Sequence, residues 1–131
     1  MTHAFPDTLS LEVGPISAVD LALFAAAAGD HNPLHLDENT AHAAGFERPL
    51  IHGMLTMAQV ARMFTTHLGV GCVTDIETRF TGVAMRGQRL VLQARLEQIE
   101  GEEAQYAVTA QQDAGTQVVQ GQVRVRWSAK G

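Results

Sequence analysis

The segment Gly29-Asp30-His31-Asn32-Pro33-Leu34-His35 carries a carboxylate, an amide and two imidazoles beside a proline. Pro33 holds Asn32 extended and stiffens the path from Asp30 to His35. A carboxylate and an imidazole at such a bend can converge on one water. The pair would then do general acid–base work: the carboxylate takes a proton while the imidazole orients the water or returns the proton. The same residue types also make turns, with Asp30 and Asn32 capping backbone N–H groups. A third reading is a metal site built from His31, His35, Asp37 and His42. Their spacing is not the HExxH pattern, and His31 and His35 on a loop share no helical face, so no metal is expected.

A second group of residues follows in Pro49-Leu50-Ile51-His52-Gly53-Met54. His52 and Gly53 fall at the start of a strongly apolar segment that reads as a helix. Gly53 leaves its N–H uncovered by any side chain, and a helix start is electropositive. A carbonyl oxygen placed there would be polarised, and a developing enolate would be stabilised. The alternatives are close packing at Gly53 and a capping or core role for His52.

These groups need elements to place them. Leu9–Val13 alternates apolar and polar residues and predicts a short strand closed by Gly14-Pro15. Ser17 and Asp20 make a capping-box-like start for a helix running to about Ala28. Leu21, Phe24, Ala25 and Ala28 share its apolar face, and Gly29 suits its stop. Residues 30–51 read as a long connection with one helical turn at Thr40–Ala44, and connections of that length are usually functional. A second helix is expected over about 53–67. It is apolar around most of its circumference, with only Gln59, Arg62 and Thr66 as a polar stripe, which predicts a buried helix.

The remainder alternates with a period of two. Asp75–Phe80, Leu90–Glu97, Gln105–Ala110 and Val119–Trp127 predict antiparallel strands with one face in a core. Gly101 and Ala114-Gly115 mark turns. The order predicts an α+β fold of one domain over residues 1–131, either a curved sheet around the second helix or a flat sandwich.

Composition narrows the function classes. A hydrophobic fraction of 46% against 18% charged residues argues for a packed core rather than disorder. A net charge of −5, with basic residues scattered along the chain, argues against nucleic acid as a partner. Arg124 and Arg126 alternate with valines and read as a solvated strand face. Cys72 is the single cysteine, so no intramolecular disulfide can form, and it reads as a small buried side chain. The first ten residues lack the basic and apolar regions of a signal peptide. No apolar run approaches the roughly 20 residues of a membrane span. A soluble cytoplasmic protein is the expectation.

The two chemical segments together resemble the MaoC-like dehydratases, a family that includes (R)-specific enoyl-CoA hydratases. The resemblance rests on AAGDHNPLHLDENTAHAAGF (27–46) followed by PLIHGML (49–55), and it continues through IETRFTGVAMRGQRLVLQ (76–93). It implies a hotdog fold, an antiparallel sheet wrapped around the helix at 53–67. It implies a thioester substrate on coenzyme A or acyl carrier protein, a homodimer, and no metal or redox cofactor. By position, Asp30 and His35 match the catalytic dyad. Asn32, His52 and Gly53 fall on the substrate-binding side, with Asn32 supporting the dyad and the Gly53 N–H facing the thioester carbonyl. Side chains of 36–51 and of the central helix are expected to line the acyl tunnel. Ala28 replaces a serine common in the family, and Ala61 a hydroxyl found in some relatives. Both bear on substrate preference.

Other classes remain in view. A hotdog thioesterase usually carries an acid on its central helix, and the segment from Gly53 to Leu68 has none. A non-catalytic subunit of a heteromeric enzyme typically lacks the acid or the histidine, and this chain keeps both. The third alternative is a binding protein without turnover.

Overall fold

The structure is a computed structural model that describes residues 4–113 and 115–127. The chain runs β1 (Thr8–Val13), α1 (Ala18–Ala28), a single 3-10 turn (Pro33–His35), α2 (Glu38–Ala43), α3 (Gly53–Leu68), β2 (Val73–Phe80), β3 (Leu90–Glu100), β4 (Glu103–Gln112) and β5 (Gln117–Arg126). The strands form one sheet in the order β1-β3-β4-β5-β2. Every pairing is antiparallel, as period-two alternation demands. The α+β expectation holds. Gly101 turns β3 into β4 with a positive φ of 61°. The Ala114 half of the next expected turn lies outside the described residues.

Helix α3 lies across the sheet and touches all five strands. Val60, Met63, Phe64 and Leu68 point into the core, against Leu92, Tyr106 and Val123 among others. Phe64 meets Tyr106 edge-on, with ring centroids 5.2 Å apart. The buried Tyr106 hydroxyl donates to the Pro6 carbonyl at 2.6 Å. Burial, with Asp7 adding to it, pushes this phenol up to about 12. Cys72 is buried in the same core, and burial raises its thiol pKa as well.

Four expectations are corrected. Helix α3 is not buried on most sides: Met54, Ala58, Arg62 and Thr66 form an exposed row at four-residue spacing. The sheet covers only one side of the helix, so apolar residues on the other side stay at the surface. Ala28 is exposed as well, since only Leu21 and Ala25 of α1 reach full burial. Phe80 alternates with the core-facing residues of β2 yet remains 51% exposed, because it ends the strand at a cleft. The helical turn expected at Thr40–Ala44 begins two residues earlier. Asp37 caps it, accepting from the Thr40 N–H at 2.9 Å and from the Thr40 hydroxyl at 2.6 Å. These bonds hold the Asp37 carboxyl below the usual range.

Helix α1 begins with the expected capping box. Ser17 accepts from the Asp20 N–H at 3.1 Å, and Asp20 accepts from the Ser17 N–H at 2.8 Å. Arg124 pairs with Glu100 and Glu103, and Arg126 with Glu102, so the basic strand face is matched by acids. Such exposed pairs add little stability.

Residues 49–51 run extended beside residues 84–86. Leu50 bridges Met85, the Ile51 N–H donates to the Ala84 carbonyl at 2.8 Å, and the Arg86 N–H to the Pro49 carbonyl at 2.9 Å. The buried Gln112 side chain accepts from the Met85 N–H at 3.2 Å, and Arg86 pairs with Glu38 of α2. This strap fixes the entry into α3. Among the described residues no helix is long and apolar enough to cross a membrane.

Candidate functional site

Helix α1 ends at Gly29, whose φ of 71° is left-handed. The N–H groups of Gly29 and Asp30 both turn back to the Ala25 carbonyl, so the chain leaves the helix sharply at Asp30. The Asp30 carboxylate then divides its tasks. Oδ1 accepts from the Asn32 N–H at 3.3 Å, a turn contact. Oδ2 faces His35 Nε2 at 3.8 Å. The turn reading and the acid–base reading therefore describe the two oxygens of one side chain.

Asn32 caps the 3-10 turn that carries His35. Its side-chain oxygen accepts from the Leu34 N–H at 3.0 Å, and its carbonyl from the His35 N–H at 3.0 Å. Asn32 itself is exposed, so its link to His35 runs through this turn. Pro33 occupies the first turn position, where a missing N–H costs nothing.

The strap orients the His35 ring. The Leu50 N–H donates to the Leu34 carbonyl at 2.9 Å, and the Leu50 carbonyl lies 2.9 Å from His35 Nδ1. A carbonyl can only accept, so Nδ1 carries the proton in the neutral ring. Nε2 is then a bare acceptor aimed towards Asp30. Two acceptors 3.8 Å apart have no direct hydrogen bond to make. A water between them could donate a hydrogen bond to each. The His35 side chain is 14% exposed and that of Asp30 48%, so a molecule from solvent reaches the gap from the Asp30 side.

His52 caps α3 without a side-chain bond to it. Its ring is 1% exposed and stacks on His35 with centroids 3.9 Å apart. Phe24 packs against it at 4.8 Å. Its Nε2 lies 3.2 Å from the Asp30 carbonyl, and Nδ1 is buried with no partner. Burial, and then the neighbouring His35, lower its pKa against the opposing pull of the Asp30 backbone and charge. His52, expected on the substrate-binding side, does not line the cleft described next.

That cleft begins at His35 and Gly53 and holds about 170 Å³. Leu50 and Ile51 of the connection and Thr56 of the central helix form part of its wall. The rest comes from Phe80 to Ala84 and from Val118-Val119. No local signal marks these residues, since the strand ends reach the helix start only through the fold. A Cβ on Gly53 would lie 2.9 Å from the Phe80 ring, so the glycine lets Phe80 close over the helix start. The Leu55 and Thr56 N–H groups both turn to the His52 carbonyl. The Gly53 N–H, at the first position of the helix, has no carbonyl one turn back to bind.

The residues first weighed as metal ligands are not gathered: His42 bonds the Glu47 carbonyl and Asp37 caps α2. The fold instead groups Asp30, His35 and His52, with one possible ligand atom of each within 4.8 Å of the others. The two imidazoles are stacked with only 21° between their planes. In-plane lone pairs of stacked rings run side by side and do not meet at the 2.0–2.1 Å of a Zn–N bond. This set suits proton transfer better than chelation.

The sequence profile of the MaoC like domain matches residues 7–118. The chain belongs to the MaoC-like family. Its MaoC-like domain has the hotdog fold. The (R)-hydratase from A. caviae superposes with a TM-score of 0.86 at 26% identity, over 92% of this chain and 94% of that one. An unliganded R-hydratase from Pseudomonas aeruginosa gives 0.83 at 31% identity, over 92% and 79%. In sequence, the (R)-specific enoyl-CoA hydratase of Aeromonas caviae is 45% identical over 67 residues, 46% of this chain and 47% of that protein. The 3-hydroxyacyl-thioester dehydratase Y of Mycobacterium tuberculosis is 39% identical over 75 residues, 54% and 26% respectively. The match thus spans less than half the length of these curated relatives.

Proposed function

We propose that this MaoC-like chain hydrates a trans-2-enoyl thioester to the (R)-3-hydroxyacyl thioester, or runs the reverse dehydration, with Asp30 and His35 as the acid–base pair. One observation carries the reading: the Leu50 carbonyl fixes the His35 proton on Nδ1, which leaves two acceptors facing each other, and one of them, His35, lines the cleft that starts at Gly53. A water held between them donates one hydrogen bond to Asp30 Oδ2 and one to His35 Nε2, and turns a lone pair towards the substrate.

Its oxygen bonds to C3 as Asp30 takes the proton. The C2–C3 π electrons move onto the thioester carbonyl. The resulting enolate oxygen is held by the Gly53 N–H at the positive end of α3. The dyad then returns a proton to C2. One water is added across the double bond, so the balance calls on no cofactor. The similarity to the named hydratases and dehydratase supports this substrate class.

The pantetheine arm of coenzyme A or acyl carrier protein would enter by the exposed Phe80. Membership of the MaoC-like family supports pairing of two copies. Light scattering on the purified chain tests that pairing, and an active monomer would overturn it.

The central test is hydration of short and medium trans-2-enoyl-CoA thioesters, followed by loss of enoyl absorbance. Asp30→Asn and His35→Ala should each lower the rate about 10²–10⁴-fold while remaining folded. Activity surviving both substitutions removes the dyad from the mechanism. A folded chain inert alone but active with a second MaoC-like chain would favour a heteromeric enzyme.

A further inference from the structure

His52 is buried, carries an orphaned ring nitrogen and has no place in the mechanism above. Its contacts point at both members of the dyad. The Asp30 main-chain oxygen 3.2 Å from Nε2 can only accept, so Nε2 bears the proton. Nδ1 is then a lone pair sealed in the interior. A second proton there would have no acceptor and would place charge against the His35 ring. The ring is therefore held neutral, with one tautomer and one orientation. One edge fixes the Asp30 backbone, while one face supports His35 at 3.9 Å. Phe24 prevents the ring from tilting away.

We propose that His52 is a positioning residue that sets the Asp30–His35 gap, donating to the Asp30 carbonyl while its ring backs that of His35. This rests on the hydratase reading and deepens it. Asp30 follows a left-handed glycine at a helix end, its N–H bound to the Ala25 carbonyl and its own carbonyl held by His52. Without the His52 bond its carboxylate drifts relative to His35, and the water loses one of its two acceptors. The loss falls on the chemical step, because His52 does not line the cleft.

Two substitutions separate its contacts. His52→Phe keeps a ring against His35 and removes the donor. His52→Gln supplies an amide N–H near the place of Nε2 and removes the ring. We expect His52→Phe to lower kcat by about 10²-fold, the scale of a small misplacement of reacting groups, with KM little changed. His52→Gln should recover much of that loss at an equal or lower melting temperature. Wild-type kcat in a folded His52→Phe protein overturns the proposal. So does a folded His52→Gln protein as slow as His52→Phe, since the donor would then not be what matters.

A measurement on the wild type needs neither variant. Long-range proton–nitrogen spectra should show His52 as the Nε2–H tautomer with a proton protected from exchange. An Nδ1–H tautomer, or a rapidly exchanging proton, overturns the proposal even where both variants fail to fold. Absence of hydration by the wild type would sink the hydratase reading and leave this spectral test standing.

Discussion

The Leu50 carbonyl sits 2.9 Å from His35 Nδ1, and this contact decides which ring nitrogen faces Asp30. Leu50 belongs to the extended strap next to residues 84–86, so the tautomer of His35 is set by main-chain pairing rather than by a neighbouring side chain. The strap is held at Pro49, Leu50 and Ile51 by bonds to other segments.

His35→Asn isolates the free nitrogen. Asparagine retains a donor near Nδ1 for Leu50 and has nothing at Nε2. The variant should fold, with hydration lowered about 10²–10⁴-fold. A thermal melt checks the first part and the enoyl-CoA assay the second. Near-normal turnover in a folded variant would remove Nε2 from the reaction.

The protonation of His52 gives stability a pH dependence. Burial holds its folded pKa below the ordinary 6.5, so below that pH the unfolded chain binds more protons than the folded one. The sign follows: stability rises with pH in that window, is fully present above 6.5, and is lost as the pH falls below it. Denaturant melts between about pH 7.5 and pH 5 should show a shallower slope for His52→Gln than for the wild type. Parallel slopes would mean that His52 titrates normally in the folded protein.

Gly53→Ala tests the helix start. The added Cβ meets the Phe80 ring at 2.9 Å, and that ring is half-exposed and free to swing outward. The stability change should stay within about 1 kcal/mol, since alanine also improves helix propensity by a similar amount. The displaced ring reshapes the cleft, so KM for the enoyl thioester should rise. An unchanged KM would place the acyl group elsewhere.

Gly121→Ala should behave differently. Its Cβ would lie 2.2 Å from the Glu77 carbonyl oxygen and 2.6 Å from the Thr78 Cα, both on the paired strand β2. Backbone cannot step aside as a side chain does. A loss of about 1–3 kcal/mol or more is expected from such overpacking, readable in urea melts. A neutral result would mean that β2 and β5 pair more loosely there.

Much of the fold was legible because periodicity is local. Leu90, Leu92 and Ala94 of β3 and Tyr106, Val108 and Ala110 of β4 are buried where the alternation places them. The Ser17–Asp20 box and the Gly29 stop are also local, and both stand as expected. The exposure of Ala28, Phe80, Met54 and Ala58 was not legible, whereas Arg62 and Thr66 already stood out as a polar stripe. Apolar residue type does not say which side of an element finds a neighbour.

The candidate site divides along the same line. Chain order alone places an acid and an imidazole five positions apart across a rigid bend, and a glycine at the opening of the following helix. Those are matters of covalent order and local backbone preference. Only the tertiary structure decided the 3.8 Å gap, the tautomer of His35, the burial of His52 between two rings and the cleft walled by Phe80 and Val118. Apart from the gap itself, each of these joins segments separated by 15 residues or more, as Leu50 is from His35. Their approach is fixed by burying α3 against the sheet, a choice made by the whole chain.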